Sequence, residues 1–173
     1  MEAERQDRYP VFCLRQLNRR GYHASWCDNV TRVDDTNHIP LISGAENCRL
    51  RLEGLEGVSY IIGLVALQPN WVPVDVSSYD VLQLSLLTEG EVGDVVIQLV
   101  TQDDEGVERE SAEIKLRERG LEAGRESTFQ LALEAFEGPS EFDLKRVRTV
   151  KLLGYGSFIL DAFDIFFATS PRQ

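Results

Sequence analysis

The sequence predicts an all-β protein, a jelly-roll β-sandwich of two antiparallel sheets. About eight to ten short stretches alternate apolar and polar residues or are continuously apolar, and turn residues separate them. The clearest strands lie within residues 70–102, and a long apolar strand over residues 157–168 ends the pattern. We therefore expect helix to be confined to a turn or two.

The N-terminal third has the weakest pattern. Residues 1–8 are charged and predict a frayed tail, and residues 9–14 form a short apolar stretch with Pro10, which is typical of an edge strand. Residues 22–33 contain Trp26 and could form a further strand.

From Cys48 onward the alternation becomes regular. Cys48, Leu50 and Leu52 share one face and charged residues alternate with them, which indicates a half-buried strand. Residues 58–67 form a nearly continuous apolar run. A buried helix would also fit its length, but the β-branched and aromatic residues and the interior Gly63 favour a strand covered on both faces.

The central strands are predicted between residues 81 and 102. Pro73 excludes the stretch before them from a central ladder position. The polar, glycine-rich residues 89–94 predict a loop between the two strands. The apolar residues that alternate along the strands are Leu82, Leu84, Leu86, Val95, Ile97 and Leu99.

A hairpin turn at residues 103–106 leads into less regular patterns. Residues 111–116 alternate as a strand, and a short helix over residues 108–119 is the alternative because the composition there favours it. Residues 129–136 again have the strand pattern.

The C-terminal third contains the second strong pattern. Residues 147–152 indicate a strand with an irregularity near Arg148. Residues 154–156, Gly-Tyr-Gly, predict a tight turn before the final strand.

Length and composition indicate one domain and exclude some functions. The 173 residues predict a single sandwich over residues 9–169, with tails at 1–8 and 170–173. A net charge of −11 argues against a nucleic-acid surface, which needs clustered Lys and Arg. No apolar run approaches the roughly 20 residues of a membrane span. Three cysteines without metal-ligand spacing, and an N-terminus without a signal-peptide pattern, predict a cytoplasmic protein; a trimmed domain of a secreted protein is the alternative.

Two stretches resemble the galactose-binding-like β-sandwich family. Residues 74–84, Val-Asp-Val-Ser-Ser-Tyr-Asp-Val-Leu-Gln-Leu, are similar to the motif that opens such sandwiches. Residues 142–147, Phe-Asp-Leu-Lys-Arg-Val, and 158–165, Phe-Ile-Leu-Asp-Ala-Phe-Asp-Ile, are similar to the closing pair. The resemblance covers residues 46–168 and implies the sandwich fold. Such sandwiches include carbohydrate-binding modules and also the complex I intermediate-associated protein family, so the resemblance implies either sugar or protein binding.

Sugar recognition in such modules implies a sheet face with aromatic platforms and with amides or carboxylates between them. On the face of the central strands opposite the core, Gln83 and Gln98 have suitable side chains. Their neighbours Leu87, Val96 and Val100 are apolar, and we expect no aromatic residue on this face. That composition fits a face covered by the N-terminal segment or one that docks a protein.

Aromatic residues elsewhere could complete a sugar site. Trp71, in a loop with two prolines, is the best candidate for an exposed ring, and a ring that caps the core is the alternative. Tyr60 and Tyr155 are further candidates, whereas Trp26 is typical of a core residue. A glycan site requires Trp71 and Tyr60 to share one accessible groove with the two glutamines.

The resemblance also implies a structural calcium ion. Asp161 matches the carboxylate on the final strand that holds calcium in such sandwiches. The usual Glu beside the first strand is missing, and calcium takes six to eight oxygen ligands, so a hydrogen-bonded carboxylate is the alternative. Catalysis is not indicated, because His23 and His38 belong to no recognisable nucleophile or zinc motif.

Together these features favour a non-catalytic module that binds an oligosaccharide or polysaccharide. An intracellular protein-interaction domain or assembly factor on the same fold is the alternative. Neither hypothesis involves nucleic acid or membrane insertion.

Overall fold

A computed structural model shows an all-β fold in the residues that it describes. The backbone is described for residues 8–10, 41–43, 49–53, 60–67 and 72–170, and side chains for residue 67 and residues 72–90, 93–154 and 160–170. These residues form nine strands, and every pairing between them is antiparallel. The strands are β1 (Arg8–Pro10), β2 (Leu41–Ser43), β3 (Arg49–Glu53), β4 (Tyr60–Ala66), β5 (Val81–Gln102), β6 (Glu108–Glu110), β7 (Ile114–Lys115), β8 (Ser127–Ala132) and β9 (Val147–Ala168).

Helical structure within the described ranges is limited to three short 3-10 turns, at Leu116–Arg119, Leu133–Ala135 and Leu144–Arg146. The predicted all-β class is therefore confirmed. The alternative helix over residues 108–119 is wrong, because β6 and β7 occupy the first part of that range. In the described part of the chain, no helix is long and apolar enough to cross a bilayer.

Two long strands organise the fold. β5 and β9 contain 22 residues each and pair with one another from Val81↔Ala168 to Thr101↔Val147. The first half of β5 also pairs with β8, and the facing half of β9 pairs with β1 and β3; with β2 these strands form the first sheet. The second half of β5 pairs with β6 and β7, and the facing half of β9 pairs with β4; these form the second sheet.

Both sheets contribute to one hydrophobic core. The alternating apolar residues predicted on the two halves of β5 are fully buried, and they belong to the same cluster as core residues of β8 and β9. Because one core collects residues from both halves of a continuous ladder, the ladder bends and its two halves pack against each other. The core residues of β5 are Leu82, Leu84, Leu86, Val95, Ile97 and Leu99.

The bend lies where the sequence predicted a loop and a turn. Residues 89–94 continue β5 and residues 154–156 continue β9, so both of those predictions were wrong. The two segments lie opposite each other, with Val92 paired to Gly156. Their polar and glycine-rich composition bends a continuous ladder and does not reverse the chain.

Glycine is required at one position of the bend. Gly90 has a φ of 103°, which residues with a Cβ rarely adopt. Three residues farther along, the register shifts between Val92 and Asp94, so Gly93 is an extra residue on β5.

Two further bulges lie on β9, at Arg148 and at Asp164, where Asp164 has a φ of 50°. The first confirms the predicted irregularity near Arg148. Core residues of a regular strand are two residues apart, but at each bulge they are three apart along β9. The extra residue of the bulge accounts for the difference, so the side chains on both sides of it stay on the inner face. These core residues are Val147 with Val150, and Ala162 with Ile165.

Other predicted strands are confirmed in part. β3 and β4 lie within the predicted strands, and β1 overlaps the predicted strand over residues 9–14, whose remainder lies outside the described residues. The predicted strand over residues 111–116 contains only the two residues of β7, and β8 ends in a 3-10 turn before residue 136. Residues 22–33 and the three cysteines also lie outside the described residues.

Local hydrogen bonds stabilise the corner before β5. The Ser77 amide and hydroxyl both donate to Asp75 Oδ1, at 2.9 Å and 2.6 Å. These hydrogen bonds favour the ionised carboxylate and so lower the pKa of Asp75. Tyr79 packs against the core, with its ring centroid 6.4 Å from that of Phe167.

Candidate functional site

Each sheet has an outward face, formed by side chains that alternate with the core residues. The outward face of the first sheet is here named the amide face, and that of the second sheet the ion-paired face. The described residues that define the amide face are Gln83, Ser85, Leu87, Thr128, Gln130 and Phe166. Those that define the ion-paired face are Val96, Gln98, Val100, Glu108, Glu110, Arg148, Thr149 and Lys151.

A pair of glutamines forms the centre of the amide face. Gln83 on β5 and Gln130 on β8 are direct register partners, and Gln130 Nε2 donates to Gln83 Oε1 at 3.0 Å. Gln130 is exposed and Gln83 is half-buried. The two amides therefore form one polar unit that solvent, or a ligand, can reach.

An aromatic residue completes this row, contrary to the expectation from sequence. Phe166 on β9 is the register partner of Gln83 on the side opposite Gln130, and it is half-buried. Simple alternation from the core residue Ala162 would have put Phe166 in the core. The bulge at Asp164 shifts the alternation by one residue and moves Phe166 to the outward face.

The next row of the amide face carries hydroxyl groups. Ser85 and Thr128 are register partners whose hydroxyl oxygens are 2.8 Å apart in a hydrogen bond. Phe163 of β9 lies opposite Ser85 and is buried, although it is not part of the core cluster. Two neighbouring rows therefore place amides or hydroxyls beside a phenylalanine.

Asp161, the predicted calcium ligand, lies one row farther along the first sheet. It is 2% exposed, and its register partners are Leu87 on β5 and Arg51 on β3. Among the described residues, no group of three or more His, Cys, Asp and Glu side chains could hold a metal ion. One carboxylate does not supply the six to eight oxygens that calcium takes. Calcium binding at Asp161 stays a prediction.

Gln98, the second predicted glutamine, has a structural role on the ion-paired face. It is 7% exposed, and its Nε2 donates to the backbone carbonyl of Ser111 at 2.9 Å. The Ser111 hydroxyl accepts from the Leu99 amide at 2.9 Å, where the pairing of β5 passes from β6 to β7. Gln98 therefore bridges β5 to the segment between β6 and β7, and its amide N–H donor already has a partner.

Charged side chains reach across β5 on the same face. Lys151 Nζ on β9 lies 3.0 Å from Glu110 Oε1 on β6, and Arg148 forms an ion pair with Glu108. Arg146 Nη1 lies 2.6 Å from Asp104 Oδ1 at the end of this series. The first two pairs connect β6 and β9, the two strands that flank β5.

The aromatic site residues predicted from sequence are described only in part. Tyr60 on β4 and Tyr155 on β9 are register partners, and Asp94 of β5 continues their row. This row lies in the second sheet, four residues or about 13 Å along β5 from Gln98. Trp71 and Trp26 lie outside the described residues. The structure thus brings Tyr60 and Tyr155 together and assigns Gln83 and Gln98 to different sheets.

Sequence reasoning missed Gln130, Thr128 and Phe166. The alternation in β8, Ser-Thr-Phe-Gln-Leu-Ala, already separates two polar residues from the buried Phe129 and Leu131. It could not show that β8 is the neighbour of Gln83, because strand order is not encoded in local alternation. Phe166 could have been identified from the three-residue spacing of the core residues around Asp164.

Comparisons with known proteins identify the fold. No protein-family model matches the sequence, and no curated protein matches it. Among solved structures, a family 30 carbohydrate-binding module of a cellulosomal cellulase of Clostridium thermocellum is similar, with a TM-score of 0.62, 16% identity, and coverage of 83% of this chain and 88% of that module. A family 11 module of a second cellulosomal cellulase of Clostridium thermocellum has a TM-score of 0.54 at 10% identity, with coverage of 83% and 87%.

A family 29 carbohydrate-binding module is similar over more of the chain. Its complex with mannohexaose gives a TM-score of 0.51 at 12% identity and covers 94% of this chain and 92% of that module; the same family 29 module was also solved with cellulohexaose. The resemblance to complex I intermediate-associated proteins stays a prediction. At these identities the similarities establish one conclusion: this chain has the jelly-roll β-sandwich fold of carbohydrate-binding modules.

Proposed function

We propose that this protein is a non-catalytic carbohydrate-binding module that holds an oligosaccharide or polysaccharide on the amide face. The observation that carries the proposal is the row Gln130, Gln83 and Phe166, which solvent can reach, on a fold shared with carbohydrate-binding modules.

The chemistry of this row suits a sugar. A pyranose has hydroxyl groups at its edge and apolar C–H faces, so its recognition needs polar groups beside an apolar ring. Gln83 and Gln130 supply amide donors and acceptors, and the half-buried ring of Phe166 supplies the apolar surface next to them. The exposed Thr128, whose hydroxyl is hydrogen-bonded to that of the buried Ser85, extends the polar strip by one row.

The ion-paired face is a poorer candidate because its polar groups already have partners. Gln98 donates to Ser111, and Lys151 is paired with Glu110. A sugar that bonds Gln98 would have to break its buried hydrogen bond to Ser111, and an unmade buried hydrogen bond costs about 1–3 kcal/mol. Tyr60 and Tyr155, in the adjoining row, stay predicted contributors.

Binding measurements on the full chain test this proposal. Isothermal titration and affinity electrophoresis with a panel that includes cellulohexaose, mannohexaose and insoluble polysaccharides should show saturable binding of at least one member. Phe166→Ala should weaken that binding about tenfold or more, as loss of an aromatic contact commonly does. A broad glycan array without any bound sugar would refute the proposal.

Trp71, the strongest candidate from sequence, needs a separate control. If its ring contacts the glycan, Trp71→Ala should remove most of the affinity and leave the thermal midpoint nearly unchanged. If the ring is part of the core, the same substitution should lower stability by about 3–5 kcal/mol. A blank array together with a strongly destabilised variant would favour the alternative, a domain that binds a protein partner.

A further inference from the structure

The Gln83–Gln130 pair has a feature that limits which sugars it can recognise. We propose that this pair binds two adjacent hydroxyl groups of one sugar ring, so the module selects neutral glycans with a free vicinal diol. This inference rests on the proposed function.

The hydrogen bond between the two amides determines what they leave for a ligand. Gln130 Nε2 donates to Gln83 Oε1, so Gln83 still offers its own Nε2 donor and Gln130 still offers its Oε1 acceptor. If both amides were rotated, the roles would exchange and the pair would still offer one donor group and one acceptor. The pair therefore presents a donor beside an acceptor in either orientation.

Such a pair discriminates between ligand classes. A carboxylate or sulfate group offers acceptors only, so it leaves the Gln130 Oε1 acceptor unmatched. An ammonium group offers donors only, so it leaves the Gln83 Nε2 donor unmatched. Two adjacent hydroxyl groups offer a donor and an acceptor together and can satisfy both amides. A ligand that covers a polar group without bonding to it loses affinity, and this loss discriminates between ligands.

The next row of the amide face, Ser85 and Thr128, also offers neutral groups that can both donate and accept. Ser85 Oγ and Thr128 Oγ1 form a hydrogen bond at 2.8 Å in which either atom can donate. Thr128 is exposed beside Gln130, two residues along β8. A glycan that crosses both rows meets neutral groups that can donate and accept.

Long-range charge acts in the same direction. The chain has a net charge of −11, which disfavours the approach of polyanions. Two arginines lie nearby by backbone register: Arg49 opposite Phe163 and Arg51 opposite Asp161, both on the far side of β9 from the amide pair. An anionic polysaccharide is therefore a necessary arm of the test.

Three variants separate the pair from the rest of the protein. Gln83→Leu and Gln130→Leu each remove one amide while keeping a side chain of similar length. Gln102→Leu is the matched control, because Gln102 is a half-buried glutamine of β5 whose Nε2 donates to Gly106 O at 3.2 Å in the second sheet. Thermal midpoints of all three should stay close to that of the wild type, which excludes unfolding as the cause of lost binding.

The titrations use cellulohexaose, mannohexaose, their fully O-methylated forms, and polygalacturonate. The wild type should bind at least one free hexasaccharide, and either amide-pair variant should weaken that binding about tenfold, the effect of one lost hydrogen bond. Gln102→Leu should bind as the wild type does. O-methylation should abolish binding because it removes the hydroxyl donors, and polygalacturonate should bind more weakly than the neutral sugars.

The outcomes distinguish this inference from the proposed function. If the wild type binds a hexasaccharide and both amide-pair variants bind it equally well, the amide pair is not the recognition element, although the protein still binds sugar. Tight binding of polygalacturonate or of an O-methylated sugar would overturn the selectivity for neutral diols. Failure of the wild type to bind either hexasaccharide would overturn the inference, and the broader glycan array would then decide on the proposed function.

Discussion

The amide face and the ion-paired face are built on the same two strands, β5 and β9, but their glutamines are used in opposite ways. Gln83 is half-buried and its hydrogen bond goes to the exposed Gln130. Gln98, fifteen residues along the same strand, is buried and donates to a backbone carbonyl. The same residue type at equivalent outward positions is thus a candidate ligand contact in one sheet and a structural bridge in the other.

The flanking strand accounts for this difference. On the first sheet β8 pairs regularly with β5 over six residues, so no backbone group there needs help from Gln83. On the second sheet the pairing passes from β6 to β7 with a gap at Ser111, and backbone groups in that gap are satisfied by Gln98 and by the Ser111 hydroxyl. Where the neighbouring strand pairs regularly, the outward polar side chains stay available to a ligand. Where its pairing is interrupted, those side chains bond to backbone groups instead.

The largest expected effect on stability comes from replacing each of the two glutamines, Gln98 and Gln83, with alanine. Gln98→Ala should lower the free energy of unfolding by about 2–4 kcal/mol, because it removes buried packing and leaves the Ser111 carbonyl without its donor. Gln83→Ala should change it by less than about 0.5 kcal/mol. Urea denaturation of both variants measures the contrast. Equal losses of stability would show that the two faces do not differ as described.

The bend that separates the two faces gives the next effect. Gly90→Ala should cost about 1–2 kcal/mol, because a φ of 103° forces a Cβ into a disfavoured conformation. Gly93→Ala is the comparison variant, since Gly93 lies three residues away on the same strand, at the register shift between Val92 and Asp94. Equal thermal midpoints for the two variants would contradict a specific requirement at Gly90.

This bend also shows which parts of the fold the sequence could predict. Alternation identified the core residues of β5, and the spacing of Val147 and Val150 identified the bulge at Arg148. The loop predicted at residues 89–94 and the turn predicted at 154–156 were wrong, because a polar and glycine-rich composition occurs both where a chain reverses and where a continuous ladder bends. Only the pairing of Val92 with Gly156 distinguishes the two, and that pairing is a long-range property.

The candidate site was predictable to a smaller extent for the same reason. Gln83 could be identified because it alternates with core leucines on a single strand. Gln130 and Phe166 become its neighbours only through the strand order β8, β5, β9 and the bulge at Asp164. The site is formed by residues of three strands that are neighbours only in the sheet. A local sequence pattern describes one strand, so it cannot show which residues of other strands lie beside it.

A smaller effect, in the opposite direction, is expected at Thr88, which lies on β5 just before the bend. Its side chain is fully buried, and its hydroxyl has no hydrogen-bond partner among the described residues. Thr88→Val has nearly the same shape and removes this hydroxyl, so we expect a gain of about 1 kcal/mol in unfolding free energy. Thr88→Ser, which keeps the hydroxyl and removes the methyl group, should destabilise the protein. A loss of stability in the valine variant would indicate a partner for the hydroxyl.

The smallest effect concerns the charges on the ion-paired face. Lys151 and Glu110 are joined across β5, and the Lys151 side chain is 19% exposed whereas that of Glu110 is 51% exposed. Because the pair is partly solvated, its coupling should be about 0.2–1 kcal/mol. A double-mutant cycle with Lys151→Met and Glu110→Gln measures that coupling, and it should decrease between 0.05 M and 1 M NaCl as the Debye length falls from more than 10 Å to about 3 Å. Neutral-glycan binding on the amide face should be unchanged by the same two substitutions and by salt, since the amide and hydroxyl groups proposed to contact the sugar are uncharged. A salt-dependent affinity, or a loss of binding in either variant, would show that the two faces are not independent.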